Sequence, residues 1–224
     1  MENSIITIDG PSAVGKSSLG FQIAKALNYK LLDSGSIYRA ASLYIFYGLF
    51  KNESLRIIID KLKNININFY LGDKINKIYL DGIDITKIIR SEKIGILSSK
   101  IANFKQIRNS LLEKQRIFSR QSKGLVADGR DMGTIVFPKA RIKFFLSGNL
   151  LERASRRYNQ LKINDNSVNY KKIISDMSMR DFEDKDRLNE HIGFSKNTFY
   201  IDTTKFSMSE VFNMMMIRIN SILK

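Results

Sequence analysis

Ile5-Ile6-Thr7-Ile8-Asp9-Gly10-Pro11-Ser12-Ala13-Val14-Gly15-Lys16-Ser17 is the stretch that decides the fold. Its first four residues are β-prone and fit a strand that is buried on both faces. Gly10, four further residues and Gly15-Lys16-Ser17 then make the pattern of a phosphate-binding loop, and apolar residues recur at helical spacing after Ser17. The motif therefore lies between a strand and a helix, which is the context that such a loop requires.

The residue types in this loop match the chemistry of phosphate binding. Two glycines allow the backbone to turn tightly, so that N–H groups and the helix N-terminus face a phosphate chain. Lys16 is predicted to neutralise the β- and γ-phosphates of a nucleoside triphosphate, and the Ser17 hydroxyl to hold the accompanying Mg²⁺. A merely structural turn would leave the pairing of Lys16 with Ser17 unexplained. The predicted triphosphate-binding residues are Gly10, Pro11, Ser12, Ala13, Val14, Gly15, Lys16, Ser17 and Ser18.

Composition limits the classes of protein to which the chain can belong. Its 224 residues suffice for one α/β domain, and 37 basic against 22 acidic residues give a net charge of +15. An anionic small-molecule site, a nucleic-acid surface or a compositional drift toward lysine could each account for the excess, and the basic residues form no long run. The sequence has no cysteine, which excludes disulfides and thiolate metal sites, and no apolar stretch of transmembrane length. We expect a cytoplasmic monomer.

Strands and helices alternate along the chain. Further strands are predicted at residues 29–33, 124–128, 142–146 and 198–202. Further helices are predicted at about residues 37–50, 53–62, 91–121, 150–161, 170–181 and 207–223. This alternation predicts an α/β fold with a parallel, doubly wound sheet. Between about residues 64 and 90 apolar and polar residues alternate instead, and Asp81-Gly82 is a strong hairpin signal, so a small antiparallel sheet is predicted as an insertion.

Two further segments carry a resemblance to a known family. Leu31-Leu32-Asp33-Ser34-Gly35-Ser36-Ile37-Tyr38-Arg39 and Ala127-Asp128-Gly129-Arg130-Asp131-Met132-Gly133-Thr134, taken with Thr7-Ile8-Asp9-Gly10-Pro11, resemble the bacterial cytidylate kinases. Leu80-Asp81-Gly82-Ile83-Asp84-Ile85-Thr86 with Ile89-Arg90 is similar to that family's insertion beside the monophosphate site. The resemblance runs from about Ile5 to Ile219. It implies a three-layer P-loop kinase fold in a single domain, residues 1–224, with a monophosphate-binding insertion at about 63–98 and a short lid at about 150–168.

The resemblance also implies a CMP site. It places Ser34, Tyr38 and Arg39 in the monophosphate pocket, Ser99, Arg108 and Asp131 at the cytosine edge, Arg130 and Arg187 on the phosphate with Arg39, and Arg180 and Asp184 on the ribose. Glu152-Arg153-Ala154-Ser155-Arg156-Arg157 resembles the lid helix, which closes arginines over the transferring group. The implied catalytic residues are Lys16, Arg130, Arg153 and Arg157.

Phosphoryl transfer between two anions requires such arginines on general grounds. The reaction depends on alignment and charge neutralisation, and a guanidinium grips two phosphate oxygens without losing its proton. Taken singly, each arginine could equally be a solvated surface charge, and Arg153, Arg156 and Arg157 could be a basic helix face. Asp33 and Asp128 end neighbouring strands, where they could hold Mg²⁺ through water or cap turns, and they stay unassigned.

The sequence departs from the family pattern in and near the predicted site, and also in length at positions 119–123, outside the site. Val14 occupies a loop position that usually carries a smaller residue. Asn189-Glu190-His191-Ile192, which follows Arg187, replaces a more apolar segment. His191 is the only histidine of the chain and is interpreted as incidental.

The leading hypothesis is a kinase that converts ATP and CMP to ADP and CDP and also accepts dCMP. The alternative among enzymes is another small P-loop kinase, acting on UMP, dTMP or a non-nucleotide alcohol. The inserted hairpin and Arg108 argue against it, because they resemble features specific to cytidylate kinases. An ATP-dependent nucleic-acid-binding module would explain the net charge of +15, but the sequence contains no basic stripe with interleaved aromatic residues. We therefore expect ATP and CMP or dCMP as partners, with neither nucleic acid nor a membrane.

Overall fold

The computed structural model describes residues 4–47, 53–73, 75–120, 123–163, 167–189 and 197–223, with the side chains of residues 186–189 outside the described part. The strands are β1 (Ser4–Asp9), β2 (Lys30–Asp33), β3 (Ile67–Leu71), β4 (Asn76–Leu80), β5 (Ile83–Asp84), β6 (Gly124–Gly129), β7 (Ile142–Ser147) and β8 (Thr198–Asp202). The helices are α1 (Lys16–Leu27), α2 (Ser34–Tyr47), α3 (Leu55–Asn64), α4 (Glu92–Ala102), α5 (Lys105–Arg120), α6 (Leu150–Lys162), α7 (Tyr170–Asn189) and α8 (Met208–Leu223). A 3₁₀ turn lies at Ile88–Arg90 and a π-helical turn at Met132–Val136.

The chain forms two compact units. One consists mainly of Ala24–Asp128, and the other of Ile5–Ile23 with Gly129–Lys224. Five strands make a parallel sheet in the order β2-β6-β1-β7-β8, and three make a separate sheet in the order β3-β4-β5. Asp33 of β2 lies opposite Asp128 of β6, so the two acidic strand ends are neighbours, as predicted. The predicted α/β fold with a parallel central sheet and a small antiparallel insertion is confirmed.

Most residues of β1 and β7 are apolar, as is typical of strands in a parallel sheet that is covered on both faces. Ile6, Ile8 and Phe144 are each at most 1% exposed. The two strands pair in parallel, with Asp9 opposite Phe145. The strand that leads into the phosphate loop is therefore held rigidly in the core of its unit.

The inserted sheet is closed by the predicted hairpin. Asp81 and Gly82 have φ angles of +48° and +83°, and Leu80 pairs with Ile83 across the turn. Positive φ at both central residues is the requirement of the two-residue turns that match strand twist. The Asp-Gly pair therefore fixes the register of β4 against β5.

The region predicted as one helix from Ser91 to about Gln121 is two helices, α4 and α5, and that prediction was wrong. Both helices keep the same apolar period, so the break at Asn103 and Phe104 is not visible in the pattern. The side-chain hydroxyl of Ser91 accepts a bond from the N–H of Ile94 at the start of α4. Arg108 of α5 donates to the carbonyl of Ala102, 2.9 Å away, and so satisfies a terminal carbonyl of α4.

Helix α7 continues to Asn189, well beyond the predicted end near residue 181. Residues 182–189 carry no apolar stripe, so periodicity could not predict them. Two carboxylates on α7, those of Asp181 and Asp184, instead bind arginines from other elements. Two ion pairs thus join α7 to Arg130 and Arg153. No helix within the described ranges is both long enough and apolar enough to cross a membrane.

Candidate active site

The phosphate loop begins directly after β1 and has an unusual backbone. Gly10, Ala13 and Gly15 have φ angles of +146°, +59° and +97°. A Cβ atom at Gly10 would lie 2.1 Å from the carbonyl oxygen of Leu146, so only glycine fits there. Helix α1 begins at Lys16, so its N-terminus faces the loop, as an anion site requires.

Lys16 is 8% exposed, and its Nζ donates to the carbonyl oxygen of Pro11, 2.6 Å away. The ammonium is therefore folded back over the loop that it follows. Ser17 and Ser18 are exposed on the first turn of α1. Val14, the residue that departs from the family pattern, is 1% exposed and belongs to the core. The loop thus presents a positive charge and hydroxyl groups while its larger apolar side chain points inward.

The protein oxygens beside the loop suit Mg²⁺ only when the ion binds together with a phosphate group. Within the described ranges no group of three or more His, Cys, Asp or Glu side chains could hold a metal ion. Mg²⁺ keeps several waters and commonly takes one or two protein oxygens together with substrate phosphates. Ser17 is exposed beside the loop, and a hydroxyl is the kind of oxygen that such an ion takes, so the residues fit Mg²⁺ that arrives with a nucleotide.

The segment beyond β6 carries Arg130 and Asp131. The Nε of Arg130 donates to Oδ2 of Asp184 at 2.7 Å, and the two side chains are only 16% and 7% exposed. Asp131 is half-buried and its carbonyl oxygen begins the π-helical turn by accepting from Ile135 and Val136 at 2.9 and 3.1 Å. The structure thus brings together two predicted site residues, Arg130 and Asp184, as an ion pair.

Two arginines of α6 are tied to neighbouring backbone. Arg153 is 4% exposed; its Nε donates to Gly148, 2.9 Å away, and one Nη donates to the carbonyl of Ser12 in the phosphate loop at 3.2 Å. Both carboxylate oxygens of Asp181 also accept from its guanidinium. Arg156 donates to the carbonyl of Thr203 at 2.6 Å. Arg153 therefore links α6 and α7 directly to the phosphate loop, a contact that the sequence did not predict.

In the other unit, Arg39 reaches from α2 to the start of α4. Its Nη1 donates to the carbonyl oxygens of Ile89 and Ser91, at 2.6 and 3.2 Å. A Cβ atom at Gly95 would lie 2.9 Å from its Nη2, so the guanidinium lies flat against a glycine of α4. The side chain is thus held in a defined plane at the point where the inserted segment joins α4.

Two other residues of this unit that the sequence predicts for the CMP site donate hydrogen bonds within the unit. Ser34 is 4% exposed and donates to Oε1 of Gln115 at 2.8 Å. Ser99 donates to the carbonyl of Gly95 at 3.3 Å. Gln115 is 2% exposed, and its role in holding Ser34 was missed because a polar residue on a helix face gives no sign of burial.

The other residues singled out in the sequence lie on α2, α6 and α7 or outside the described residues. Tyr38 is half-buried on α2, and Arg180 is half-buried on α7. Arg187 lies on α7, but its side chain is outside the described part, and His191 lies outside the described residues altogether. Arg157 is half-buried on α6.

Because the resemblance places Arg39 on the phosphate of CMP, we predict that Arg39→Lys raises the KM for CMP roughly tenfold, although the positive charge is kept. One ammonium nitrogen cannot occupy the plane that Ile89 and Ser91 fix for the guanidinium and also grip two phosphate oxygens. The measurement is the KM for CMP at fixed ATP. The control is Arg116→Lys on α5, where the arginine pairs with the exposed Glu113. Equal KM values for the two variants would make Arg39 a structural residue.

The parallel sheet, the glycine-lined loop and the buried lysine at the start of α1 define a P-loop nucleotide-binding protein. The chain belongs to the cytidylate kinase family, whose model matches residues 6–221. It is similar to the cytidylate kinase of Colwellia psychrerythraea, with 40% identity over 93% of this chain and 92% of that protein. The cytidylate kinase of Aeromonas salmonicida is 38% identical over 92% and 90%. Cytidylate kinase 1 of Haemophilus influenzae is 37% identical over 92% and 89%. The resemblance inferred from the sequence is confirmed.

Proposed function

We propose that this member of the cytidylate kinase family transfers the γ-phosphoryl group of ATP to CMP, and to dCMP, giving ADP with CDP or dCDP. The observation that carries the proposal is the phosphate loop in its strand-loop-helix setting, with Lys16 held 2.6 Å from the Pro11 carbonyl. The assignment of CMP as the acceptor rests on family membership.

On the donor side, the loop would hold the phosphates of ATP through its backbone N–H groups and the N-terminus of α1. Lys16 would leave the Pro11 carbonyl to contact the β- and γ-phosphates, where negative charge accumulates during transfer. Mg²⁺, bound with ATP and the Ser17 hydroxyl, would neutralise further phosphate charge. ATP binding thus exchanges a neutral partner of Lys16 for an anionic one.

Arginines would supply the remaining charge. Arg153 already contacts the Ser12 carbonyl, so its guanidinium brings positive charge to the edge of the phosphate loop. Arg157, from the same helix, is assigned as the second lid arginine of residues 150–168. Arg130 is assigned to the acceptor phosphate, and Asp184 orients its guanidinium through the 2.7 Å ion pair. In-line transfer needs little covalent help beyond this alignment and neutralisation.

The acceptor assignments extend the sequence-based expectation. Arg39 and Arg187 join Arg130 on the phosphate, Arg180 and Asp184 bind the ribose, and Ser34 and Tyr38 line the pocket. Ser99, Arg108 and Asp131 face the cytosine edge. The burial of Ser34 and the fixed guanidinium plane of Arg39 support their assignment to the CMP site. A side chain that is already held in place loses less entropy when it binds a ligand. We also propose that the chain acts as one domain and as a cytoplasmic monomer.

A coupled ADP-release assay over CMP, dCMP, UMP, dTMP and AMP tests the proposed function. CMP and dCMP are expected to give the highest kcat/KM. Highest activity with UMP or dTMP would make the chain a different monophosphate kinase. Tight binding of a labelled oligonucleotide at physiological salt, without turnover of any monophosphate, would favour a nucleic-acid-binding module instead.

We predict that Asp131→Asn reduces the preference for CMP over UMP. Cytosine presents an amino donor where uracil presents a carbonyl acceptor, and a carboxylate can accept only from the first. A carboxylate facing an acceptor in a closed site costs about 1–3 kcal/mol, which is a preference of roughly ten- to a hundredfold. An amide can rotate to serve either base, so UMP should gain relative to CMP. The measurement is the ratio of the two kcat/KM values.

A matched control separates base recognition from a structural role of Asp131. Asp176→Asn makes the same chemical change at an exposed position of α7 and should leave the ratio unchanged. If Asp131→Asn slows CMP and UMP by the same factor, Asp131 only orients a neighbour and has no part in choosing the base.

A further inference from the structure

Asp9 ends β1 and immediately precedes Gly10 of the phosphate loop. Its side chain is fully buried, with an exposed fraction of 0%. One carboxylate oxygen accepts from the N–H of Met132 at 2.9 Å, and the other accepts from the N–H of Gly133 at 2.8 Å. Burying a carboxylate is costly unless donors satisfy its oxygens. These two bonds therefore fasten the segment beyond β6 to the residue that immediately precedes the phosphate loop.

Gly133 fits closely against the same end of β1. A Cβ atom there would lie 2.8 Å from Oγ1 of Thr7, 3.2 Å from Cδ of Lys143 and 3.3 Å from Oδ2 of Asp9. The hydroxyl of Thr7 has no hydrogen-bond partner in the part of the chain that the structure describes. Only a residue without a side chain lets the segment approach closely enough for both bonds to Asp9.

Lys143 supplies a positive charge to this buried region. It is 8% exposed, and its Nζ donates to the carbonyl of Pro138 at 2.7 Å. Burial lowers the pKa of Lys143 because it disfavours the ammonium, and the negative charge of Asp9 partly offsets that effect. The two side chains therefore interact electrostatically, and Asp9 is part of a buried polar cluster.

We propose that Asp9 is a positioning residue for phosphoryl transfer, which sets Arg130 and Asp131 at a fixed distance from the phosphate loop. The inference rests on the proposed function, in which Arg130 and Asp131 bind CMP. Both residues immediately precede the two amides that Asp9 holds, so a shift of those amides moves both side chains. Displacing a reacting group by about 1 Å can cost roughly a hundredfold in rate. One carboxylate thus aligns the acceptor-binding segment with the donor-binding loop.

The test is Asp9→Asn, which keeps the shape of the side chain. An amide has only one oxygen to accept with, and its NH₂ group would face an N–H donor of Met132 or Gly133. The KM for CMP should rise roughly tenfold or more, while the Kd for ATP stays within about twofold, because the loop itself is unchanged. The amide-proton resonances of Met132 and Gly133 should shift upfield as their bonds to a charged oxygen are lost.

Two controls make the test decisive. Ile219→Val shortens a fully buried side chain of α8 and should lower Tm without changing the KM for CMP. Arg130→Met is the reference for loss of an acceptor contact. If Arg130→Met raises the KM for CMP and Asp9→Asn does not, the inference about Asp9 fails and the proposed function stands. If neither variant changes it, the assignment of Arg130 to CMP fails as well.

Gly133→Ala provides a second route if Asp9→Asn does not fold. It keeps the carboxylate and pushes the segment away from Thr7, so it should raise the KM for CMP selectively. Adding Thr7→Ala removes the hydroxyl 2.8 Å from the new methyl group and should recover most of the loss. An unchanged KM in Gly133→Ala, or a double variant as impaired as the single one, would overturn the inference.

Discussion

Replacing Lys16 with alanine is expected to lower kcat for CMP phosphorylation by at least roughly a thousandfold while the fold stays intact. Lys16 is 8% exposed, and its Nζ donates to the Pro11 carbonyl at 2.6 Å, at the start of the helix that follows the phosphate loop. In the proposed function its charge acts on the β- and γ-phosphates, so losing the side chain should lower the rate of transfer. Alanine is a better helix former than lysine, so the first turn of α1 should not be destabilised. The measurement is ADP release with saturating CMP, together with Tm.

The matched control for this variant is Lys25→Ala, near the other end of α1. Lys25 is exposed and donates to the carbonyl of Asp73 at 3.0 Å. The Lys25→Ala variant should keep kcat within about twofold of the parent value, because a solvated lysine contributes little to the free energy of the protein. Normal turnover by Lys16→Ala would show that the phosphate loop takes no part in the reaction, whatever the result for Lys25→Ala.

The second large effect is expected from Arg130→Met. Its kcat/KM for CMP should fall by roughly a thousandfold or more, because an arginine on a transferring phosphoryl group contributes at least this factor in related chemistry. The free energy of unfolding should also fall by about 1–3 kcal/mol, since Asp184, 5% exposed, loses a 2.7 Å ion pair. The variant therefore has two separable consequences, one for chemistry and one for stability.

A double variant separates the two consequences of losing Arg130. In Arg130→Met with Asp184→Asn, no buried carboxylate is left without its arginine, so part of the stability should return. The activity should not return, because the arginine is still missing. Arg141→Met is the control: this arginine is exposed and donates to the carbonyl of Ile222 at 2.7 Å. Recovery of activity in the double variant would show that Arg130 acts only through the structure.

Features with a local physical cause could be predicted from the sequence. The Gly10-to-Ser17 pattern after a β-prone run predicted the strand, the loop and the start of α1, because backbone turning and phosphate binding both require those residue types. Asp81-Gly82 predicted the hairpin, since both residues tolerate positive φ. The strand at residues 198–202 was placed correctly, because an apolar run between polar segments specified it.

Features that depend on distant partners could not be predicted. Asp9 and the amides that it binds are more than a hundred residues apart, so only the fold brings them together. The second half of α7 has no apolar period in its sequence, and two of its carboxylates, those of Asp181 and Asp184, bind arginines outside the helix. Arg153 was expected over the transferring phosphoryl group on the strength of the resemblance alone. The sequence could not predict its bond to Ser12, because that bond depends on how α6 packs. The role of Arg153 on the phosphoryl group stays a prediction.

The contact between Gly10 and Leu146 has a consequence for how this sequence can change over time. A methyl group at Gly10 would meet a backbone oxygen at 2.1 Å, and that oxygen is present whichever amino acid occupies position 146. No second-site substitution can therefore make room by shrinking a side chain, as is possible where two side chains collide. The surrounding chain is rich in Ile, Asn and Lys and can drift in composition, but this position has no compensating mutation within reach. The peptide backbone at Leu146, and not any replaceable side chain, therefore determines which substitutions Gly10 can accept.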